Sequence, residues 1–278
     1  RHHVGGDPVR GEFVFRRSDL ACMTCHSIGG AGGKVGPDLT SIGASAPVDY
    51  LVESLLLPSA KIKEGYSAVN IETKDGQSLT GTLARETPEE VVLRNALNAE
   101  VNVAKKNIES RQNGMISLMP SGLLDNLGEQ DKLDLIAFLS RLGKPGEFDA
   151  SKGGVARRWR IYTFTHTDQQ NGLGHAIWDA PLADNMWQPT FSLANGKLTR
   201  RVLEEASKRS AWIGTIDVFA ATELQTAKAG PVKLNLDAAA SEVWIDGKRI
   251  GGAGDSVAEL SAGTHRVLVR IDPKKIPE

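Results

Sequence analysis

Apolar residues recur at helical spacing in three stretches of the chain. In "DPVRGEFVFRR" (7–17), Val9, Phe13 and Val14 share one side, Asp7 stands where an N-cap belongs, and Pro8 falls in the first turn. "PVDYLVESLLLP" (47–58) is a second amphipathic segment. "GEQDKLDLIAFLSRLG" (128–143) is a third, with Leu133, Ile136, Phe138, Leu139 and Leu142 as its stripe and Gly143 closing it. Between the second and third segments the period drops to two. Residues 66–112 alternate through Val69 and Ile71, Leu79 and Leu83, Val91 and Leu93, Val101 and Val103, and Ile108, with Asp75-Gly76 as a hairpin turn signal. This predicts five short strands curled into a small SH3- or Sm-like barrel.

Past the Pro/Gly-rich "LGKPGEFDASKGG" the composition changes. "RRWRIYTFTH", "AWIGTIDVFA", "PVKLNLDA", "SEVWIDGKRIGG" and "SVAELSAGTHRVLVRID" read as strands, with Asp246-Gly247 as a second tight hairpin. The expected fold class is therefore multidomain α+β. An all-α domain, split into 1–65 and 113–145, is interrupted by the barrel at 66–112. A linker at 146–154 leads to a β-sandwich over 155–278.

Composition sharpens this picture in three ways. Lys plus Arg (33) balances Asp plus Glu (34), so no overall field draws the chain to nucleic acid or anionic membrane. No apolar run approaches the roughly 20 residues of a spanning helix, and no transmembrane segment is expected. The opening "RHHVGGDPVRGEF" lacks an apolar signal core, and the chain reads as a fragment of a longer protein.

Chemistry concentrates in "CMTCHSIGG" (22–30), which holds both cysteines of the 278-residue chain. A disulfide redox pair, half of a zinc site and covalent haem attachment all use C-x-x-C. A zinc site needs a second ligand pair, and the sequence offers none at suitable spacing. A thioredoxin-like pair should sit between a buried strand and a helix, whereas here the flanks are "FRRSDLA" and a glycine-rich loop. Covalent haem attachment needs His directly after the second Cys, and His26 is there. Cys22 and Cys25, three apart, project from one helical turn toward the same porphyrin edge, and His26 can then reach the iron as proximal ligand. Five glycines in the eight residues of "GGAGGKVG" let backbone approach a flat ring.

The run Gly36-Pro37-Asp38-Leu39 resembles the segment after the haem loop of small c-type cytochromes. By that resemblance Gly36, Pro37 and Leu39 line the haem pocket, and the Pro37 carbonyl accepts the His26 N–H and orients the ring. For the sixth ligand the candidates are Met115 and Met119. Met119 is favoured because Pro120 follows it, as in Met-Pro distal loops of small cytochromes, and a residue before proline is biased extended; Met23 and Met186 are poorly placed. Four stretches are similar to the planctomycete/verrucomicrobial type of haem-binding domain, a cytochrome c-like domain with an internal insertion: "GEFVFRRSDLACMTCHSIGGAGGKVGPDLTSIG", "PVDYLVESLLLPSAKIKEGY", "TKDGQSLTGTL" and "SLMPSGLLDNL…LIAFLSRLG". They span about residues 5–143. The end of the chain, "VWIDGKRI…AELSAGTHRVLVRI", resembles a PA14-like or galactose-binding-like β-sandwich more faintly.

The sequence thus points to one covalent haem c with His26 and Met119 as axial ligands, in an electron-transfer module rather than an enzyme. The expected partners are a dehydrogenase, associated or fused, as electron donor and a cytochrome or oxidase as acceptor. Two other readings stay open: a haem enzyme or gas/redox sensor with a labile distal ligand, and a carbohydrate-binding protein with an accessory cytochrome. All five Trp (159, 178, 187, 212, 244) lie in the second half, where sugar stacking competes with core packing. His166, His175 and Asp168 could bind a metal, though a solvated loop is favoured, and His265 reads as structural. Thioether formation outside the cytoplasm predicts a periplasmic or cell-surface/secreted protein.

Overall fold

A computed structural model describes residues 5–170, 187–206 and 215–276. The chain divides into two compact units, Arg1–Gly153 and Gly154–Glu278.

The first unit opens with α1 (Pro8–Phe15), whose N-cap Asp7 accepts from the amides of Val9 and Arg10. Its buried side is Gly11, Glu12, Val14 and Phe15, and Val9 is 46% exposed. The face is rotated from the expected one because α1 lies directly on α5 (Glu129–Arg141). A Cβ on Gly11 would fall 1.9 Å from the Asp134 carbonyl oxygen, and one on Gly6 would fall 2.2 Å from that of Leu133, so the two backbones touch at glycine. The α5 stripe shifts in the same sense: Leu135, Phe138, Leu139 and Leu142 are buried while Leu133 is exposed. Phe138 meets Phe15 and Phe148, each at 5.7 Å between ring centres.

Between these helices come the motif turn α2 (Cys22–Cys25), a two-rung ladder of β1 (Ser27–Ile28) and β2 (Ala31–Gly32), α3 (Ile42–Ser45) and α4 (Val48–Leu56). Five antiparallel strands follow: β3 (Ser67–Thr73), β4 (Ser78–Glu86), β5 (Glu90–Arg94), β6 (Glu100–Ala104) and β7 (Ile108–Ser117), in the order β6-β5-β4-β3-β7. Val69, Ile71, Val91, Leu93 and Val103 form their shared core. The Asp75-Gly76 turn carries a left-handed Gly76 (φ 83°).

These strands correct the expected fold class. Strand makes up 39% of the structure and helix 22%, so the chain is mostly β, and the unit that carries the cysteine motif is not an all-α cytochrome domain. Helical periodicity marks the helices around the motif, but the sheet is hydrogen-bonded to the loops that join them. The Thr82 hydroxyl donates to the Val35 carbonyl, the Lys34 amide to Asn98, and the Ser117 amide to Ser59. Sheet and motif loop fold as one body.

In the second unit, β8 (Arg158–Thr165), β9 (Gln188–Phe191), β10 (Thr215–Thr226), β12 (Ala240–Ile245), β13 (Lys248–Gly251) and β15 (Gly263–Ile271) form an antiparallel sheet ordered β13-β12-β15-β10-β8-β9. β11 (Gly230–Leu236) and β14 (Gly254–Leu260) pair separately. Leu234, Leu236, Ala258 and Leu260 of that pair pack on Val218, Val243, Val267 and Val269 of the large sheet, so the two sheets share one core. The opposite face carries an aromatic cluster of Tyr162, Phe164, Trp187 and Phe219. The sequence pattern missed β9 and a helix over Arg200–Ala206. No helix among the described residues is long and apolar enough to cross a membrane.

Candidate functional site

The cysteine motif is entered through a left-handed residue, Ala21 (φ 54°), which turns the chain sharply into α2. The Thr24 and Cys25 amides bond back to the Ala21 carbonyl and that of His26 to Cys22, closing one turn. Cys22 and Cys25 therefore stand three residues apart on a single helical turn and are not joined to each other in a disulfide. Burial pushes the Cys22 thiol up to about 11 and that of Cys25 upward as well. A redox C-x-x-C pair works through the opposite shift, a depressed thiol.

The glycine-rich loop folds back along this turn. Gly33, Gly36 and Leu39 donate their amides to the carbonyls of Met23, Cys25 and Ser27, at 2.9, 2.8 and 2.8 Å. The approach is so close that a Cβ on Gly33 would lie 1.7 Å from the Thr24 oxygen. Asp38 fastens the far end, accepting from Ser27 Oγ (2.6 Å) and the Thr40 amide (2.8 Å), while Thr40 Oγ1 accepts from the Gly29 amide. Partial burial works against the Asp38 charge, but the bonds from Ser27 and Thr40 outweigh it and hold the carboxyl below its usual range.

This cradle fixes His26. Its Nδ1 lies 2.7 Å from the Pro37 carbonyl oxygen, which can only accept, so the proton sits on Nδ1 and Nε2 keeps a lone pair. Burial lowers the His26 pKa against the opposing pull of Pro37 and Asp38, which favours the neutral ring. Gly36 lies flat against that ring: a Cβ there would come within 2.4 Å of Cε1. Two thiols on one turn, a neutral imidazole with one nitrogen engaged, and a cradle that meets the turn and the ring with glycine backbone make a donor set that fits a covalently attached haem. Among the described residues no group of three or more His, Cys, Asp or Glu is placed to hold a metal ion by itself, which leaves the zinc reading without partners.

The other expected haem-side residues fall in two places. Leu39, half-buried, belongs to the cradle through its amide. Met119 lies in the wall of an open pocket of about 570 Å³, with Leu56–Ala60, Ile116, Ser117, Pro120 and Ser121. Its amide donates to Ser117 Oγ at 3.1 Å. None of Cys22, Cys25 or His26 lines that pocket. Met115 is 89% exposed.

The candidates of the second unit have structural duties. Asp168 is buried and accepts from the Thr165 amide and hydroxyl, both at 2.8 Å, while His166 is exposed. His265 bridges Asp246 (2.7 Å) and the Ser261 carbonyl (2.9 Å). Trp159 donates to the Ala156 carbonyl, Trp187 is buried in the aromatic cluster, and Trp244 packs at its edge. His175, Trp178, Met186 and Trp212 lie outside the described residues.

Sequence reasoning missed Asp38 as an organiser, and missed Thr82 and Asn98 altogether. Thr82 carries a faint signal: it sits at an outward position of β4, where alternation predicts exposure, yet it is 3% exposed because the motif loop lies over it. No family model matches the chain, and no curated protein matches it.

Proposed function

We propose that the chain carries one covalent haem c on Cys22 and Cys25, with His26 as axial ligand, and serves as an electron-transfer module. The observation that carries this reading is the 2.7 Å contact from His26 Nδ1 to the Pro37 carbonyl, one residue beyond a C-x-x-C turn. A haem held there supplies a one-electron Fe(III)/Fe(II) couple. The chain's own part is to keep that couple's environment fixed. Cys22 and Cys25 tether from one turn, so the attachment points move together. The Pro37 carbonyl holds the proton on Nδ1, which leaves Nε2 as the donor atom and makes it more basic. The amides of Gly33, Gly36 and Leu39 hold the loop in place, so little reorganisation accompanies a change of charge.

Electron transfer asks for no nucleophile or acid–base pair, and the described residues of the site hold none beyond those used for attachment and ligation. The donor in this reading is a dehydrogenase, fused or associated, and the acceptor a cytochrome or terminal oxidase. Thioether attachment places the work outside the cytoplasm. Met119 decides between this and a second reading, a sensor or haem enzyme with a labile distal position, which is kept in play by a Met119 pocket whose lining does not include Cys22, Cys25 or His26. The test is spectroelectrochemistry of the haem-loaded protein. A reversible one-electron couple, with a near-infrared Met–Fe(III) band lost in Met119→Ala, is the expected result. A reduced protein that binds CO at once, with no such band in the wild type, overturns electron transfer in favour of the open-site reading.

A further inference from the structure

The five-stranded sheet reaches into the motif loop at two points, and these have a common target. The Thr82 hydroxyl, buried on the outer face of β4, donates to the Val35 carbonyl at 3.3 Å. Asn98, at the tip of the β5–β6 hairpin, accepts the Lys34 amide at 2.9 Å on its side-chain oxygen. Both contacts are long-range, spanning 47 and 64 residues. Both fall on residues 34–35, immediately before Gly36, whose amide bonds to the Cys25 carbonyl, and Pro37, whose carbonyl holds His26.

The hairpin tip is shaped for this. Asn98 adopts a left-handed backbone (φ 63°), a conformation natural to asparagine and glycine, and its neighbour Asn95 caps the turn by accepting from the Leu97 and Ala99 amides. The Asn98 side chain is thereby left to reach the loop. Val35, itself one of the two anchored residues, is buried at 3% exposure. Apart from these anchors and the burial of Val35, the segment from Lys34 to Pro37 is bonded to the cysteine turn through the Gly36 amide and the Pro37 carbonyl.

We infer that Thr82 and Asn98 are positioning residues for the axial histidine: the sheet clamps the loop whose Pro37 carbonyl fixes His26, and through it tunes the haem's reduction equilibrium. The inference rests on the electron-transfer reading of the site and gives the strands between the second and third main helices a function. A hydrogen bond to a ligating imidazole sets ligand orientation and basicity, so a loosened acceptor changes the relative stability of the two iron oxidation states.

The test uses the full chain in two forms with Thr82→Val, Thr82→Ser, Asn98→Gly and Asn98→Asp. Asn98→Gly keeps the left-handed turn but removes the acceptor, and Asn98→Asp restores one; Thr82→Ser keeps the hydroxyl. In the haem-free chain, exchange of the Gly36 amide should quicken roughly three- to tenfold in Thr82→Val and Asn98→Gly, and the ¹⁵N signature of His26 should lose its uniform Nδ1-protonated form. In the haem-loaded chain the ratio of reduced to oxidised protein at fixed poise should move by a similar factor in the same two variants. Thr82→Ser and Asn98→Asp should stay near wild type in both forms. Exchange and poise unchanged in Thr82→Val and Asn98→Gly overturn the inference, and so does an equal change in the conservative pair, which would trace the effect to packing. If Thr82→Val fails to fold, the half-buried hairpin-tip variant Asn98→Gly carries the test alone. A wild-type chain that takes up no haem ends the electron-transfer reading, and the exchange result then judges the clamp by itself.

Discussion

Gly36 packs directly against the His26 ring. The absent Cβ leaves room for an imidazole edge that would otherwise be 2.4 Å away, with ring atoms Nδ1 and Nε2 within 3 Å as well. The displaced ring cannot keep its 2.7 Å bond to Pro37. Gly36→Ala should therefore leave both thioether positions usable yet weaken axial ligation, read as a mixed-spin absorption spectrum in place of a single low-spin form. An unchanged low-spin spectrum would place His26 elsewhere. In the second unit, His265 supplies a pH dependence. Its hydrogen bond to Asp246, then that to Ser261, raises its pKa above the ordinary 6.5, while Asp246, despite the opposing cost of burial, is held below its usual range by His265 and the Arg266 amide. A raised histidine contributes its stability fully below the unfolded value and loses it as pH rises through the folded one; the carboxylate loses its share only in acid. The stability difference between wild type and His265→Gln should thus be greater near about pH 6 than near about pH 9. Equal differences in urea melts at the two pH values count against the pair. At this scale the sequence was most legible where chemistry is local. Cys22, Cys25 and His26 are adjacent in the chain, whereas Asp38, Thr82 and Asn98 act through folding that brings distant segments together.

The helices show how a correct periodicity can carry a wrong face. Apolar spacing located α1 and α5, but Val9 and Leu133, both in the expected stripes, are exposed. The missing information was the crossing: Gly6 and Gly11 let α1 settle onto the α5 backbone, and this close approach dictates which side is buried. The same approach brings the Asp7 amide within 2.7 Å of the Asp134 carboxylate, which also accepts from Gln130 and pairs with Arg10. Replacing a mid-helix glycine by alanine ordinarily stabilises by about 1 kcal/mol. At Gly11 the sign should reverse, with a loss of roughly 1–3 kcal/mol from forcing the helices apart, measured as a lower urea midpoint at constant slope. A stabilised Gly11→Ala protein would contradict the crossing. Strand alternation placed β3 to β7 well, since their inner faces are apolar at period two. It gave no notice of β9, four residues of "QPTF" that carry a proline and too little apolar alternation to stand out.

For the whole molecule, the main correction is one of proportion. Motifs with recognisable chemistry sit on short helices and loops, and reading outward from them made the cysteine-bearing domain look all-α around an inserted barrel. The two hydrogen bonds from β4 and the β5–β6 tip make the strands part of the site's support rather than an appendage. The near-equal charges, 33 basic and 34 acidic, provide no global steering, so under the proposed electron-transfer reading a redox partner would be recognised by local surface around the site. The central claim is covalent haem on Cys22 and Cys25. It is tested most directly by producing the chain alongside a c-type haem attachment system, denaturing it, extracting loose haem and weighing the peptide that spans residues 22–26. One haem mass retained on that peptide, and absent in a Cys22→Ala/Cys25→Ala variant, is the expected result. A folded wild-type chain whose two thiols remain free to alkylate, with no haem mass on the peptide, would contradict the account.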